Sequence, residues 1–438
     1  MKAARYALLL GLAMLAAGCV QSAEVNRLAL IDLLALDAAE AGEILLTAQV
    51  IMPTRLGVGP SSTGGEGAPF FLAQARGRTV AEALSNLQKR VPRQIFLEHL
   101  QMLVIGDELA RRGLFPLVDF LVREQMVRTD LLVAVTPGEA ATLLNIASPL
   151  PAVPGEAWSD LVRNQRIAVS SVRNLFVALG EEGMDPFLTA IAPSSVQEPG
   201  GGTDLGDMEL IGAGLMRGDR LAGYLNREEA IGLQLLLNDR PRTVVSVPAD
   251  AVLTYLGGDR GTPGTGGPGD TGGTSGGAGA ARGPDGASRD PVHPRDLISL
   301  QLQRATTYLA PFADDPPTLR FQARLITEVV NTTSLLDVEN PEVAAAVERA
   351  AADIFRGFVE GAVRQMQAVN SDAAGFGASF RRSRPEWWRG MREQWAELFP
   401  RMQMVYDIEV LVVRTGLATR PAGPEPQLEF PGRGGGTQ

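Results

Sequence analysis

Between Gly257 and Gly286 nearly half of the residues are glycine, and Pro, Thr, Ser and Ala supply most of the rest. Such a stretch buries too little apolar area to offset the entropy of ordering it, so no core runs through it. Residues 257–290 read as a disordered linker or insert, and the chain must build its cores on either side. No Lys-Ser/Thr follows the glycines, as a phosphate-cradling loop requires. With 438 residues and 45% apolar content, there is material for two or three domains of ordinary size.

The first residues read as a targeting segment. Lys2 and Arg5 precede an apolar run from Tyr6 to Ala17, too short to span about 30 Å of hydrocarbon as a helix but suited to a secretory signal. The run ends Leu15-Ala16-Ala17-Gly18-Cys19, a bacterial lipobox. Residues 1–18 are therefore expected to be removed and Cys19, the one cysteine, to carry a diacylglycerol. Two or three acyl chains anchor stably where one does not, since each buried CH₂ contributes about 0.8 kcal/mol. A single cysteine also excludes an intramolecular disulfide and a thiolate zinc cluster. The balance is acidic, with 40 basic against 50 acidic residues; losing Lys2 and Arg5 takes the net charge from −10 to −12. That disfavours general nucleic-acid binding.

Patterning predicts an α+β chain of three mixed-sheet domains with flanking helices on a lipid-anchored N-terminus. The N-terminal domain, with a helical extension, covers 19–195. It opens with a strand pair inside Leu28–Ile51, then a helix capped by Thr79 with Glu82 at capping-box spacing. A buried strand at Leu100–Ile105 follows, then a helix capped by Asp107, a second helix through Val122, a strand at Leu131–Val135 and a helical region over 156–180. A small central domain, 205–256, holds a hairpin turning at Gly218-Asp219, a helix from Arg227 to Leu237 and a strand at Thr243–Val247. The C-terminal domain, 291–420, opens with a strand at Leu319–Val330. A long helix begins at Asn340-Pro341-Glu342, with Val343, Val347, Ala350, Ile354, Phe358 and Met366 as its apolar stripe. A helix from Pro385 to Leu398 and a strand at Met404–Val413 complete it; 421–438 is a flexible tail.

Enzyme signals are lacking. There is no Gly-x-Ser-x-Gly elbow, and the two histidines differ in setting: His99 at the edge of a buried strand, His293 between prolines. Glu98 with His99 and Glu228 with Glu229 are adjacent, so their side chains diverge and read as solvated surface. Catalytic, metal and cofactor sites are all expected to be absent. Trp388, Met391, Trp395 and Leu398 recur on one helical face, which reads as core, leaving Trp387 off the stripe as an exposed contact. Arg381, Arg382, Arg384 and Arg389 read as a solvated rim.

Several ordered blocks resemble one family, the Ger(x)C lipoproteins, C subunits of bacterial spore nutrient-germinant receptors. Glu24-Val25-Asn26, Thr47 through Pro53, Gly77-Arg78-Thr79 through Leu87, Arg93 through Gly113 and the hairpin Leu210–Leu225 are similar to its N-terminal and central patterns. Gly375-Phe376-Gly377, Pro385, Trp388, Trp395, Phe399-Pro400 and Arg414-Thr415-Gly416-Leu417 follow its C-terminal pattern in order. Val20-Gln21 stand where the family usually has Trp-Asp. The resemblance implies a non-enzymatic, palmitate-bearing membrane lipoprotein on the outer face of the spore inner membrane. It implies assembly with two integral membrane subunits, a larger A-type subunit and a transporter-like B-type subunit, to trigger germination in response to nutrients. Cys19 is the one site residue it carries over. The competing class is a solute-binding lipoprotein serving a transporter, which would need two similar lobes around a polar cleft.

Overall fold

A computed structural model describes residues 27–52, 69–146, 154–196, 205–257, 296–334 and 336–413. Cys19, His293, the glycine-rich segment and Arg414 through Leu417 lie outside the described residues. The chain forms two compact units, one of residues 1–159 with 192–209, the other of 160–191 with 210–438.

The first unit is built on β1 (Leu28–Ala38), β2 (Ile44–Ile51) and β3 (Phe70–Gly77), followed by α1 (Val80–Gln88), β4 (Gln94–Phe96) and β5 (Met102–Gly106). Helices α2 (Asp107–Arg112) and α3 (Phe115–Arg123), strand β6 (Leu132–Thr136) and helix α4 (Ala141–Leu144) follow, and α5 (Pro154–Gln165) leads out of the unit. Strand order is β3-β2-β1-β5-β6, with β4 also beside β1. β1 runs antiparallel to β2 with Leu34 opposite Ala48, and parallel to β5 with Ala35 opposite Val104. β5 and β6 are parallel, and both are buried at every position. Strands covered on both faces read as continuous apolar runs, which is why these are the clearest strands in the sequence. Thr79 does cap α1, accepting from the Glu82 amide. Asp107 does not cap α2: Gly106 occupies the cap position and the Asp107 carboxylate pairs with Arg111 at 2.6 Å. One residue into the helix, it faces a cation four residues on rather than the free amides.

The second unit begins with α5's last residues and α6 (Val172–Gly180), so the expected helical region over 156–180 consists of two helices. They separate where Arg166 and Ala168 take positive φ, and Ser171 caps the second. Strand β7 (Phe187–Val196) and β8 (Leu205–Arg217) carry the chain out and back. β8 pairs with β9 (Arg220–Leu225) in the expected hairpin, Gly214 opposite Tyr224. Next come α7 (Arg227–Leu236), closed by a reciprocal Asn226–Glu229 capping box, then β10 (Val244–Pro248) and α8 (Ala249–Tyr255). The final sheet has the order β10-β11-β12-β13, from β11 (Leu297–Phe312), β12 (Thr318–Thr332) and β13 (Gln403–Val413). β11 and β12 are antiparallel; β12 and β13 are parallel and joined across α9 (Pro341–Ala368). Asn340 caps α9 with Pro341 first in the helix. Its buried stripe runs Val343, Val347, Ala351, Phe355, Val359 and Met366, while Ile354 and Phe358 are half-buried. The single three-residue step from Val347 to Ala350 in the expected stripe carries it on to Ile354 and Phe358, one row off the face that Ala351, Phe355 and Val359 bury. Among the described residues no helix is long and apolar enough to cross a membrane.

The fold is thus α+β, with mixed sheets and flanking helices.

Candidate functional site

Past α9 the chain turns through Asn370, at positive φ, into a compact knot of short helices: α10 (Phe376–Ser383), α11 (Pro385–Met391) and α12 (Trp395–Leu398). The expected single helix over 385–398 is broken by a 3-10 turn at Arg392–Gln394. The break lets Trp388 and Trp395 meet edge to face, with ring centroids 5.4 Å apart. Trp395 also contacts Phe380 at 5.6 Å and Phe399 at 6.0 Å. Both indoles are buried, as the stripe predicts. Trp387, expected as an exposed contact, is half-buried and lies 4.7 Å from Phe380, because α10 folds back beside it.

At the centre lies Asp372. One carboxylate oxygen accepts the Phe376 amide at 2.7 Å, the other the Gly377 amide at 2.8 Å and the Trp395 indole N–H at 3.0 Å. It supplies the cap that α10, preceded by Gly375, lacks from its own cap residue. Burial pushes its pKa up to about 7, against the opposing pull of those three donors. Asp185 completes the node, accepting the Gly218 amide at 2.7 Å and the Asp372 amide at 2.8 Å. Burial raises this carboxyl too. Ser371 donates its hydroxyl to the Met216 carbonyl. Gly377 is required by space: a Cβ there would lie 2.7 Å from Trp388, 2.8 Å from the Gly183 backbone and 2.8 Å from the Trp395 indole nitrogen.

The first unit holds a comparable pair on β1. Asp32, at a register shift, accepts the Gly155 amide at 2.6 Å through one oxygen and leaves the other unpartnered. Burial, aided by Glu156, pushes its pKa up to about 7. Asp37 accepts the amides of Ala140 and Ala141 at 2.6 and 2.9 Å, fixing the start of α4, and burial raises it as well.

Asp32, Asp37 and Asp185 accept from backbone far along the chain, and Asp372 from the start of α10 and the Trp395 indole; none is placed beside a nucleophile or a second acid in an open cleft. They clamp segments far apart in sequence. Sequence reasoning missed them, although Asp32 and Asp37 sit within the apolar run Leu28–Leu36 and at its end, where a charge demands a partner. His99 is exposed rather than packed at the core edge, and Glu98 beside it is exposed too. Arg381 and Arg382 both reach Glu181, and Arg389 pairs with Glu386, so the arginine rim is partly neutralised. Among the described residues no group of His, Cys, Asp and Glu could hold a metal ion.

The knot lies within a segment that matches a known family. Residues 21–193 match the spore germination protein N-terminal domain, and residues 285–416 match the C-terminal domain described as spore germination B3/GerAC like. The chain belongs to the GerAC-like spore germination family. Among curated members from Bacillus subtilis strain 168, it is 23% identical to spore germination protein KC over 423 residues, 92% of this chain and 93% of that one. Similarity to spore germination protein B3 is 19% over 414 residues, 91% and 94% of the two chains. A third protein named for spore germination, YfkR, is 28% identical over 243 residues, 53% of this chain and 60% of its own length. The crystal structure of the GerBC protein superposes with a TM-score of 0.47 at 16% identity, over 87% of this chain and 96% of that one.

Proposed function

We propose that this member of the spore germination family is the lipid-anchored C subunit of a nutrient germinant receptor, held by Cys19 at the outer face of the spore inner membrane. The observation that carries the reading is the match of two family domains in their proper order, spanning 21–193 and 285–416. The lipobox ending at Cys19 supports the membrane location. In this role the chain is not an enzyme. It acts by stabilising an assembly with two integral membrane subunits, A-type and transporter-like B-type, or by favouring one of its conformations. Spores lacking the gene and its paralogues should release dipicolinate slowly or not at all on nutrients, yet normally on a non-nutrient trigger. Germination at the normal rate on nutrients refutes the proposal. Failure to take up one solute during vegetative growth would favour the solute-binding lipoprotein instead.

A further inference from the structure

Strand β10 stands at the end of the second unit's four-stranded sheet, paired on one side by β11. The Leu302 amide donates to the Thr243 carbonyl at 3.0 Å, so Thr243, Val245 and Val247 turn their backbone groups toward β11. Val244 and Ser246 turn theirs the other way. Among the described residues nothing bonds to those two amides and two carbonyls, and both residues are exposed, Val244 at 54%. The open stretch is bounded at each end: the Arg242 amide goes to the Gln165 carbonyl at 3.3 Å, and Pro248 has no amide.

Beside this edge runs an open groove of about 720 Å³ between β10, α7, α8 and α9. Ile231, Val245, Ala350, Ile354, Phe358 and Tyr255 line it, and the last three are half-buried, so their side chains are within reach from outside. Its charged groups are mixed. Arg227 and Glu228 are adjacent on α7, and Asp353 already takes the Tyr255 hydroxyl, so charge selects no ligand. What selects is a line of two donors and two acceptors with an apolar trough alongside. That is the requirement of an extended peptide with apolar residues at alternate positions.

Such a peptide lies in the chain itself. Two long stretches of the second unit fall outside the described residues, 258–295 and 414–438. The first holds one large apolar residue, Val292. The second, expected in part as a flexible tail, holds Gln427-Leu428-Glu429-Phe430 between Pro426 and Pro431. These four alternate polar and apolar, and the proline after Phe430 biases it to extended backbone. Val413, the last described residue, lies in line with Val244 across the sheet, through Glu328 and Gln301. A strand added outside β10 lies four strand spacings away, about 19 Å. Residues 414–426 reach about 43 Å when extended.

We infer that residues 427–430 add to the free edge of β10 as a short fifth strand of this sheet. Leu428 and Phe430 enter the groove on the Val245 side, and Gln427 and Glu429 face solvent beside Val244 and Ser246. A segment tied to the same chain pairs at high effective concentration, which a strand of four residues needs.

The test is amide hydrogen exchange on the full chain in detergent, read by mass spectrometry at single residues. The Val244 and Ser246 amides should exchange at least tenfold more slowly in the wild type than in a chain ending at Arg420. The double variant Leu428→Asp, Phe430→Asp should exchange like the shortened chain. Adding the peptide Pro-Glu-Pro-Gln-Leu-Glu-Phe-Pro to the shortened chain should restore slow exchange. Amides equally fast in the wild type and the shortened chain overturn the inference, because the edge is then empty. Amides equally slow in both overturn it as well, because something other than residues 427–430 then covers the edge. Protection that falls on dilution overturns pairing within one chain and assigns the edge to the tail of a second copy. The double variant keeps the full length, so it decides the matter if the shortened chain fails to fold.

Discussion

Asp32 shows how one carboxylate can tie stability to pH. Its folded pKa of about 7 lies above the ordinary aspartate value of 3.8, so the folded chain holds a proton that the unfolded chain has released. Stability from this group is therefore full below about pH 4 and declines as pH rises toward 7, by an amount on the order of 3–4 kcal/mol. The proton has a place to sit, because one Asp32 oxygen is already unpartnered and protonating it breaks no bond to Gly155. Asp372 differs: both its oxygens accept, so its proton displaces a donor. Asp32→Asn retains an acceptor for the Gly155 amide and removes the ionisation. The variant should be more stable than wild type at pH 7.5 and close to it at pH 4.5, as measured by urea unfolding. An equal difference at both values would mean that Asp32 does not titrate in this window.

The knot of α10, α11 and α12 is held by contacts that no single helix could make. Trp395 packs on Trp388, Phe380 and Phe399 and donates to Asp372, so Trp395→Ala removes a ring, its indole donor and the filling of a core. A loss of about 3–5 kcal/mol is expected. Gly377→Ala should cost about 1–3 kcal/mol by overpacking, since the neighbours that the new methyl meets include backbone. Trp387→Ala, on a half-buried ring, should cost less than Trp395→Ala; urea unfolding followed by circular dichroism ranks the three. The tryptophan stripe was legible because i, i+3 and i+7 place three residues on one face, even though the helix carrying them is interrupted. Asp372 and Asp185 were not, since their partners lie far along the chain or on backbone amides, which no side-chain pattern records. The same contrast holds among strands. β1, β5, β6 and the β8–β9 hairpin announce themselves as apolar runs or by a glycine turn. β11 does not: its register shifts beside Ser299/Leu300 and Leu302/Arg304 break the two-residue period, and Gln301, Gln303, Arg304, Thr306 and Thr307 dilute what remains. β3, at the edge of its order, and β7, with Pro193 inside it, were lost for similar reasons.

For the molecule as a whole, the decisive step in the proposed function is attachment. In that proposal the chain contributes contacts rather than chemistry. Its influence on a membrane assembly depends on being close to it. An anchor at Cys19 confines the folded units to a thin layer above the bilayer, where even a weak contact with an integral subunit gains from high effective concentration. The net charge, −10 for the full chain and −12 if residues 1–18 are removed as proposed, gives no compensating attraction to anionic headgroups. Without the thiol, nothing else in the sequence replaces the acyl chains. Cys19→Ala should therefore abolish labelling by a palmitate analogue and leave an uncleaved or mislocalised precursor. It should also reproduce, at least in part, the slowed nutrient germination of the deletion while the folded units retain their unfolding midpoints. Undiminished label on the Cys19→Ala protein would remove the anchor from the proposal. Normal germination by a variant shown to be unlabelled would mean that attachment is dispensable, and that the folded units find their partners unaided.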